Sequence, residues 1–291
     1  MILATGGVGH NGKLLAKKGW SIKNLKYLSM PSNTGDGYQL AMSVGAKDML
    51  LESPDFMDNY IQALPSNRLT KMAPETLLAG GGPVVWVNQN GRRIVNENVA
   101  SYNMLYQHMA IKATRATYVI FNQKIWDKIA DQALPQFRKP DPDKMLFKAV
   151  AENNGHSLYK ADTIDELAYD VAIPVESLKK TIADYNQFCH EGVDHEFNKE
   201  RSMLIPIEQG PYYIGRLDNS NLVSLGGIGE NTDFEVIDED FQPILGLYAI
   251  GADATMQYRD VYTITLGGSA CAHSVNSGRN AVKNAQKEMQ K

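Results

Sequence analysis

Met1-Ile2-Leu3-Ala4-Thr5-Gly6-Gly7 is a short apolar run that breaks at once into small residues, and its reading decides the fold. Apolar residues bounded by Thr-Gly-Gly predict a buried strand ending in a tight turn. No charged segment precedes the run and no longer apolar core extends it, so it lacks the form of a secretory leader. At the carboxyl edge of an α/β sheet, such a turn is either plain chain reversal or a place where glycine, lacking Cβ, lets backbone approach a ligand. Both readings stand at this point.

Downstream, Asn11 to Lys18 predicts a short helix closed by Gly19. Thr34-Gly35-Asp36-Gly37 then leads into Tyr38-Gln39-Leu40-Ala41-Met42. Asp36 can cap that helix or accept hydrogen bonds from ligand hydroxyls, and Leu40 and Val44 fall on one face. In the middle of the chain the short βα alternation gives way to longer amphipathic segments and hairpins, which suggests an inserted domain. Val84-Val85-Trp86-Val87 and Arg93-Ile94-Val95 flank the turn residues Asn88-Gln89-Asn90-Gly91, a hairpin pattern. Thr117-Tyr118-Val119-Ile120-Phe121 predicts a strand, and Thr163 with Glu166 predicts a capping box. After Pro174, the residues Leu178, Ile182, Tyr185 and Phe188 form an apolar stripe that Gly192 can close. That stripe reads as core.

Toward the carboxyl end the Gly-rich βα character returns. Leu247-Tyr248-Ala249-Ile250 predicts a buried strand delivering Gly251-Ala252-Asp253 to a ligand edge. Leu266-Gly267-Gly268-Ser269-Ala270-Cys271 then opens a helix whose free N–H groups can hold an anionic or carbonyl oxygen, or are simply capped.

The 291 residues suffice for two domains of about 150 residues. With 43% hydrophobic and 21% charged residues, disordered, collagen-like and coiled-coil classes are excluded. Lys+Arg 29 against Asp+Glu 33 leaves a net charge of −4 with no block of like charge, which points away from nucleic acid and membrane surfaces and toward a small-molecule ligand. No apolar run reaches membrane-span length. Cys189 and Cys271 are far apart and in no metal-type spacing, so a reducing, cytoplasmic setting is expected. Cys189-His190 with His195 only superficially suggests a metal site, and none is expected.

In order along the chain, Ala4-Thr5-Gly6-Gly7, Thr34-Gly35-Asp36-Gly37, Val87-Asn88 with Gly91-Arg92-Arg93 and Asn96-Glu97, Ala161-Asp162-Thr163, Gly210-Pro211-Tyr212-Tyr213, Gly226-Gly227 and Gly246-Leu247-Tyr248-Ala249 resemble the succinate dehydrogenase/fumarate reductase flavoprotein family. The resemblance implies an α/β plus α+β architecture, in which a Rossmann-like FAD domain is interrupted by a capping domain. By it, residues 1–52 are the tail of the first flavin-domain half, 53–221 the cap, and 222–291 the returning flavin-domain segment. FAD is the implied cofactor, contacted by Thr5, Gly6, Asp36, Ala252, Gly268, Ala270 and Cys271. Ala252 stands where the family has a glutamate, leaving a backbone contact and Asp253 as a stand-in.

Two departures shape the functional expectation. Gly7-Val8-Gly9-His10-Asn11-Gly12 has the Gly-x-Gly-x-x-Gly spacing, but its first downstream acid, Asp36, precedes a helix rather than ending a strand about 20 residues on, and Gly80-Gly81-Gly82 precedes a hairpin strand; a separate or missing amino-terminal dinucleotide-binding segment is therefore an expected partner, beside self-association. The family's proton-donor arginine beyond Asn-Glu is also absent, the residues after Asn96-Glu97 being Asn98, Val99, Ala100 and Ser101. Thr265 replaces an arginine before Leu-Gly-Gly, and Leu222-Val223-Ser224 replaces a substrate histidine. Two carboxylates would go unneutralised there, which argues against succinate and fumarate. What remains is Tyr258-Arg259-Asp260-Val261-Tyr262, similar to a stretch in less characterised relatives. Tyr258 and Tyr262 can move a proton or polarise a carbonyl, and Arg259 can bind a single carboxylate; otherwise the tyrosines pack and Arg259 pairs with Asp260. The implied activity is hydride exchange between flavin N5 and an activated C=C or C–C bond, the alternative being a flavin-free fragment that needs a separate chain.

Overall fold

The computed structural model describes residues 1–64, 74–99, 104–133, 141–254, 258, 262 and 266–290. The chain divides into two units, one formed by residues 1–58 and 220–291 and the other by residues 59–219. The amino-terminal segment carries β1 (Ile2–Leu3), α1 (Gly12–Lys17), β2 (Lys26–Tyr27), α2 (Asp36–Ser43) and the start of β3 (Asp55–Tyr60). The second unit continues with α3 (Pro74–Gly80), β4 (Val85–Asn88), α4 (Met104–Lys112), β5 (Thr117–Asn122), α5 (Gln123–Gln132) and α6 (Pro142–Glu152). It is completed by β6 (Leu158–Ala161), α7 (Ile164–Asp170), α8 (Val175–Glu191) and the first part of β7 (Tyr212–Ser224). The chain then returns to the first unit with β8 (Glu235–Ile237), β9 (Pro243–Ala249) and α9 (Ser269–Glu288).

In the first unit, the opening apolar run does become a strand. β1 pairs in parallel with β9, Ile2 opposite Tyr248 and Leu3 opposite Ala249, and β8 pairs antiparallel with the far edge of β9. Leu3, Val8, Tyr38, Ala41, Leu50, Val236 and Ala249 bury their side chains together under this sheet. α1 starts where Asn11 accepts hydrogen bonds from the Lys13 and Leu14 amides, and Gly19 (φ +89°) follows its end. Two expectations for α2 fail. Its cap is Gly35 (φ +83°), which offers no side-chain bond, and Asp36 is already the first helical residue. The helix buries Gly37, Tyr38 and Ala41, whereas Leu40 and Val44 are 53% and 56% exposed, because a 100° step per residue puts them on the other face.

The second unit is built on β5, antiparallel to β4 on one edge and to β7 on the other, with β6 on the far edge of β7. Trp86, Phe121, Trp126, Tyr185 and Tyr213 fill its core, which includes the stripe Leu178, Ile182 and Tyr185 of α8. The capping box forms as read, Thr163 Oγ1 accepting from the Glu166 amide while the Glu166 carboxylate accepts from the Thr163 amide. The hairpin forms only at its turn. Gly91 (φ +74°) donates its N–H to Asn88, but of Arg93-Ile94-Val95 only Arg93 bridges to Val87, and β4 pairs with β5 instead. Arg93 explains this, for its guanidinium turns inward to Glu97 and Asp194. Among the described residues, no helix is long and apolar enough to cross a membrane.

Candidate flavin site

Beyond β1 the chain turns through Gly6 (φ +96°) and Gly7 (φ +80°), a backbone shape that L side chains rarely adopt. Asp253, 1% exposed, sits against this turn. Its carboxylate accepts from the Thr5 amide, from Thr5 Oγ1 at 3.1 Å and from the Gly7 amide at 2.9 Å. Thr5 Oγ1 in turn accepts from the Gly37 amide at 3.0 Å, so the turn, the start of α2 and the segment after β9 share one hydrogen-bonded knot. A Cβ at Gly37 would lie 2.6 Å from Thr5 Oγ1, and one at Gly7 would lie 2.6 Å from the Ser224 carbonyl oxygen. Here the close approach that glycine permits is made by the protein to itself. The Ala252 carbonyl accepts from the Gly226 amide at 2.7 Å.

The start of α9 differs. Gly268 (φ +85°) is its cap and contributes no side-chain bond, and a Cβ at Gly267 or Gly268 would meet nothing within 4 Å among the described residues. Ser269 Oγ is shielded from solvent and has no hydrogen-bond partner among the described residues. Ala270 is half-buried and Cys271 exposed. This 20-residue helix thus offers open ground, amide donors and the positive end of its dipole to an electron-rich oxygen or nitrogen.

Of the residues read from the sequence, the structure joins Thr5 with Asp253, and Gly6 lies between Thr5 and Gly7 in the same turn. Asp36 stays outside the knot; it is exposed and takes the Thr34 hydroxyl at 2.9 Å. Tyr258 and Tyr262 pack edge to face with ring centroids 5.3 Å apart. Arg259, Asp260, Thr265, Ala100 and Ser101 lie outside the described residues. The tyrosines belong to a row of rings that sequence reasoning missed: Phe56 beside Tyr262 at 5.9 Å, His273 beside Tyr258 at 6.4 Å, and Phe234 beside His273 at 6.0 Å. All five rings are half-buried. Burial pushes the His273 imidazole below its ordinary value against the opposing pull of the Ala254 and Gly251 carbonyls, which favours a neutral ring. No short-range signal could have revealed this row, whose members come from four separate segments.

The residues that carried the resemblance in the middle of the chain serve structure. Glu97 is fully buried and is held by Arg93 at 2.9 Å, Lys199 at 3.1 Å and the Trp86 amide at 3.0 Å; Arg93 also pairs with Asp194 at 2.9 Å. Burial works against ionising Asp194, yet its bonds to Arg93 and to the Glu196 and Lys199 amides hold it at about 2. Glu97 is likewise held below the usual carboxylate range by Lys199 and Arg93, which together outweigh its burial. His190 and His195 contact Glu208 and Glu191 at the surface, and no group of three metal-ligating residues occurs among the described residues.

Comparison with known proteins assigns this architecture. The family described as FAD binding domain matches residues 1–268. The chain belongs to this FAD-dependent family of succinate dehydrogenase/fumarate reductase flavoproteins. A vinyl phenol reductase of Lactiplantibacillus plantarum is 31% identical over 296 aligned positions, covering 98% of this chain and 60% of the relative. A urocanate reductase of Eggerthella lenta is 30% identical over 260 positions, covering 87% of this chain and 39% of the relative. The chain therefore spans 39% to 60% of the length of these two relatives. In fold it is similar to a 3-ketosteroid Δ1-dehydrogenase from Sterolibacterium denitrificans, with a TM-score of 0.67 at 24% identity, over 98% of this chain and 53% of that one. The family's cofactor is FAD, and the open start of α9 with its unpartnered serine fits a ligand of that polarity.

Proposed function

We propose that this chain belongs to an FAD-dependent oxidoreductase that exchanges a hydride between flavin N5 and an activated C=C or C–C bond of a small organic substrate other than fumarate or succinate. The single observation that carries the reading is the family match over residues 1–268, together with a helix start, Gly268 to Cys271, left open at the place where the resemblance puts the flavin. In this reading residues 1–52 and 222–291 are the flavin-domain portion and residues 53–221 the cap, a division supported by the two compact units of residues 1–58 with 220–291 and residues 59–219. Thr5, Gly6, Asp36, Ala252, Asp253, Gly268, Ala270 and Cys271 are the residues proposed to hold FAD. Asp253 acts by fixing the Thr5–Gly7 turn, since its carboxylate is already committed there. Bound FAD would supply the hydride acceptor or donor at N5.

The chain's own contribution is proton transfer and exclusion of water. A hydroxyl of Tyr258 or Tyr262 is the proposed acid or base at the carbon neighbouring the hydride position, and Arg259 the proposed partner of a single carboxylate. The half-buried rings of Phe56 and His273 pack against Tyr262 and Tyr258, and Phe234 backs His273. The relatives named as vinyl phenol and urocanate reductases support a conjugated substrate. A second reading is a chain that holds flavin only alongside a separate dinucleotide-binding segment or a second copy of itself, favoured by the Asp253 carboxylate, which satisfies the turn amides without any ligand. Gel filtration decides between them: protein that elutes yellow supports the first, and protein that stays colourless after incubation with excess FAD overturns it. In the yellow protein, Tyr258→Phe or Tyr262→Phe should lower turnover by about 10²-fold or more with flavin retained. Unchanged turnover in both variants would remove the tyrosines from the mechanism.

A further inference from the structure

Residues 251–254 bind α9, Gly226 and the Thr5–Gly7 turn at once. The Gly251 amide donates to Ser277 Oγ on α9 at 3.0 Å, the Ala252 carbonyl accepts from the Gly226 amide, and the Asp253 carboxylate holds the turn. The last carbonyl, that of Ala254, meets His273 Nε2, on α9 one turn beyond Ser269. A carbonyl oxygen can only accept, so Nε2 is the nitrogen that carries the proton. Burial favours the neutral ring, whose single N–H is thus spent on Ala254. His273 has no proton left to give a substrate. What it does have is a fixed plane: bonded at Nε2 and packed against Phe234 at 6.0 Å, the ring meets Tyr258 at 72° with centroids 6.4 Å apart, within the range of an edge-to-face pair.

We propose that His273 is a positioning residue with two separable tasks: its Nε2–H steadies residues 251–254, and through Asp253 the Thr5–Gly7 turn, for the flavin, while its ring aims Tyr258 at the substrate. This rests on the oxidoreductase reading above and extends it to the residue that aligns the cofactor side of the site with its acid–base side. Ala254 adjoins Asp253 in the chain, and His273 follows the open helix start by one turn, so a single side chain touches both what holds the cofactor turn and what moves the proton. Histidine suits both tasks because it combines a donor at its far edge with an aromatic ring. Glutamine carries an amide N–H at comparable reach but no ring, and phenylalanine carries a ring but no donor.

His273→Gln and His273→Phe in the full chain separate the tasks. In His273→Phe the Gly7 and Gly251 amides should exchange about fivefold faster or more, and flavin should be lost on gel filtration. The Tyr258 ring resonances, assigned by their absence in Tyr258→Phe, should stay close to wild type. In His273→Gln, exchange and flavin content should stay at wild type while the Tyr258 resonances move. The rate at which vinyl phenol reoxidises the reduced flavin should then fall about tenfold, with the half-saturating concentration unchanged. His273→Ala removes both groups and should show both losses, which keeps the test decisive if phenylalanine is not accommodated. Equal exchange in the Gln and Phe variants, or Tyr258 resonances and a rate unmoved by His273→Gln, would overturn the proposal. So would turnover that His273→Gln lowers but Tyr258→Phe leaves unchanged. Exchange and ring resonances are read without flavin, so colourless protein sinks the flavin reading alone and the role of His273 is still decided.

Discussion

Asp253 and Glu97 are both buried carboxylates, yet they are satisfied in opposite ways. Asp253 takes its hydrogen bonds from two amides and a hydroxyl of the Thr5–Gly7 turn, all neutral dipoles. Glu97 takes its bonds from two cations and one amide. The predicted costs of replacing them differ accordingly. Asp253→Asn brings an NH₂ group against N–H donors, and the unfolding free energy should fall by about 1–3 kcal/mol in urea titrations. A wild-type midpoint would show that the turn does not depend on the carboxylate. Glu97→Ala strands Arg93 and Lys199 without a shared partner in the core, and about 3–5 kcal/mol should be lost. Less than about 1 kcal/mol would mean that water or a neighbouring acid takes over.

At the scale of elements, what the sequence revealed was local chemistry. The Thr163–Glu166 capping box, the helix closed by Gly19, the Gly91 turn and the α8 stripe at Leu178, Ile182 and Tyr185 each depend on residues within one or two turns of each other and are present, while the fourth stripe residue, Phe188, is only half-buried. Thr163→Ala should therefore cost about 1 kcal/mol, read from the melting of α7 by amide exchange, and an unchanged exchange rate would count against the cap. What stayed hidden was long-range. Nothing local marks β3, or the eleven residues of β7 that follow Pro211-Tyr212-Tyr213, or the ring row whose members come from four segments. The face of α2 was misread because Leu40 and Val44 are apolar, while the buried face carries Tyr38 with the smaller Gly37 and Ala41. Of the candidate site, the Thr-Gly-Gly turn and the Gly-Gly helix start could be read because glycine spacing is a local signal; the commitment of Asp253 to that turn, across 248 positions, could not. The two thiols also separate by element. Burial raises Cys189 on α8 to about 11, whereas Cys271 on α9 is exposed. A thiol reagent at pH 8 should label Cys271 first and leave Cys189 slow, and Cys271→Ser should remove the fast phase.

Across the whole molecule, the two units carry separate cores, and the unit of residues 59–219 has its own acid limit. Asp194 is held at about 2 and Glu97 below its usual range, whereas in the unfolded chain both titrate near the ordinary carboxylate value of about 4. Between those values the unfolded chain binds more protons than the folded one, so stability is fully present above about pH 4 and is lost as pH falls toward 2. Amide protection in β4, β5 and β6 should fall steeply over that window. Asp194→Asn separates this linkage from general acid lability. The variant should be less stable than wild type at pH 7, because Arg93 loses a charged partner, but its stability should fall less steeply between pH 4 and 2, because one linked proton is gone. Parallel slopes for the two proteins would show that the Arg93 cluster does not set the acid limit.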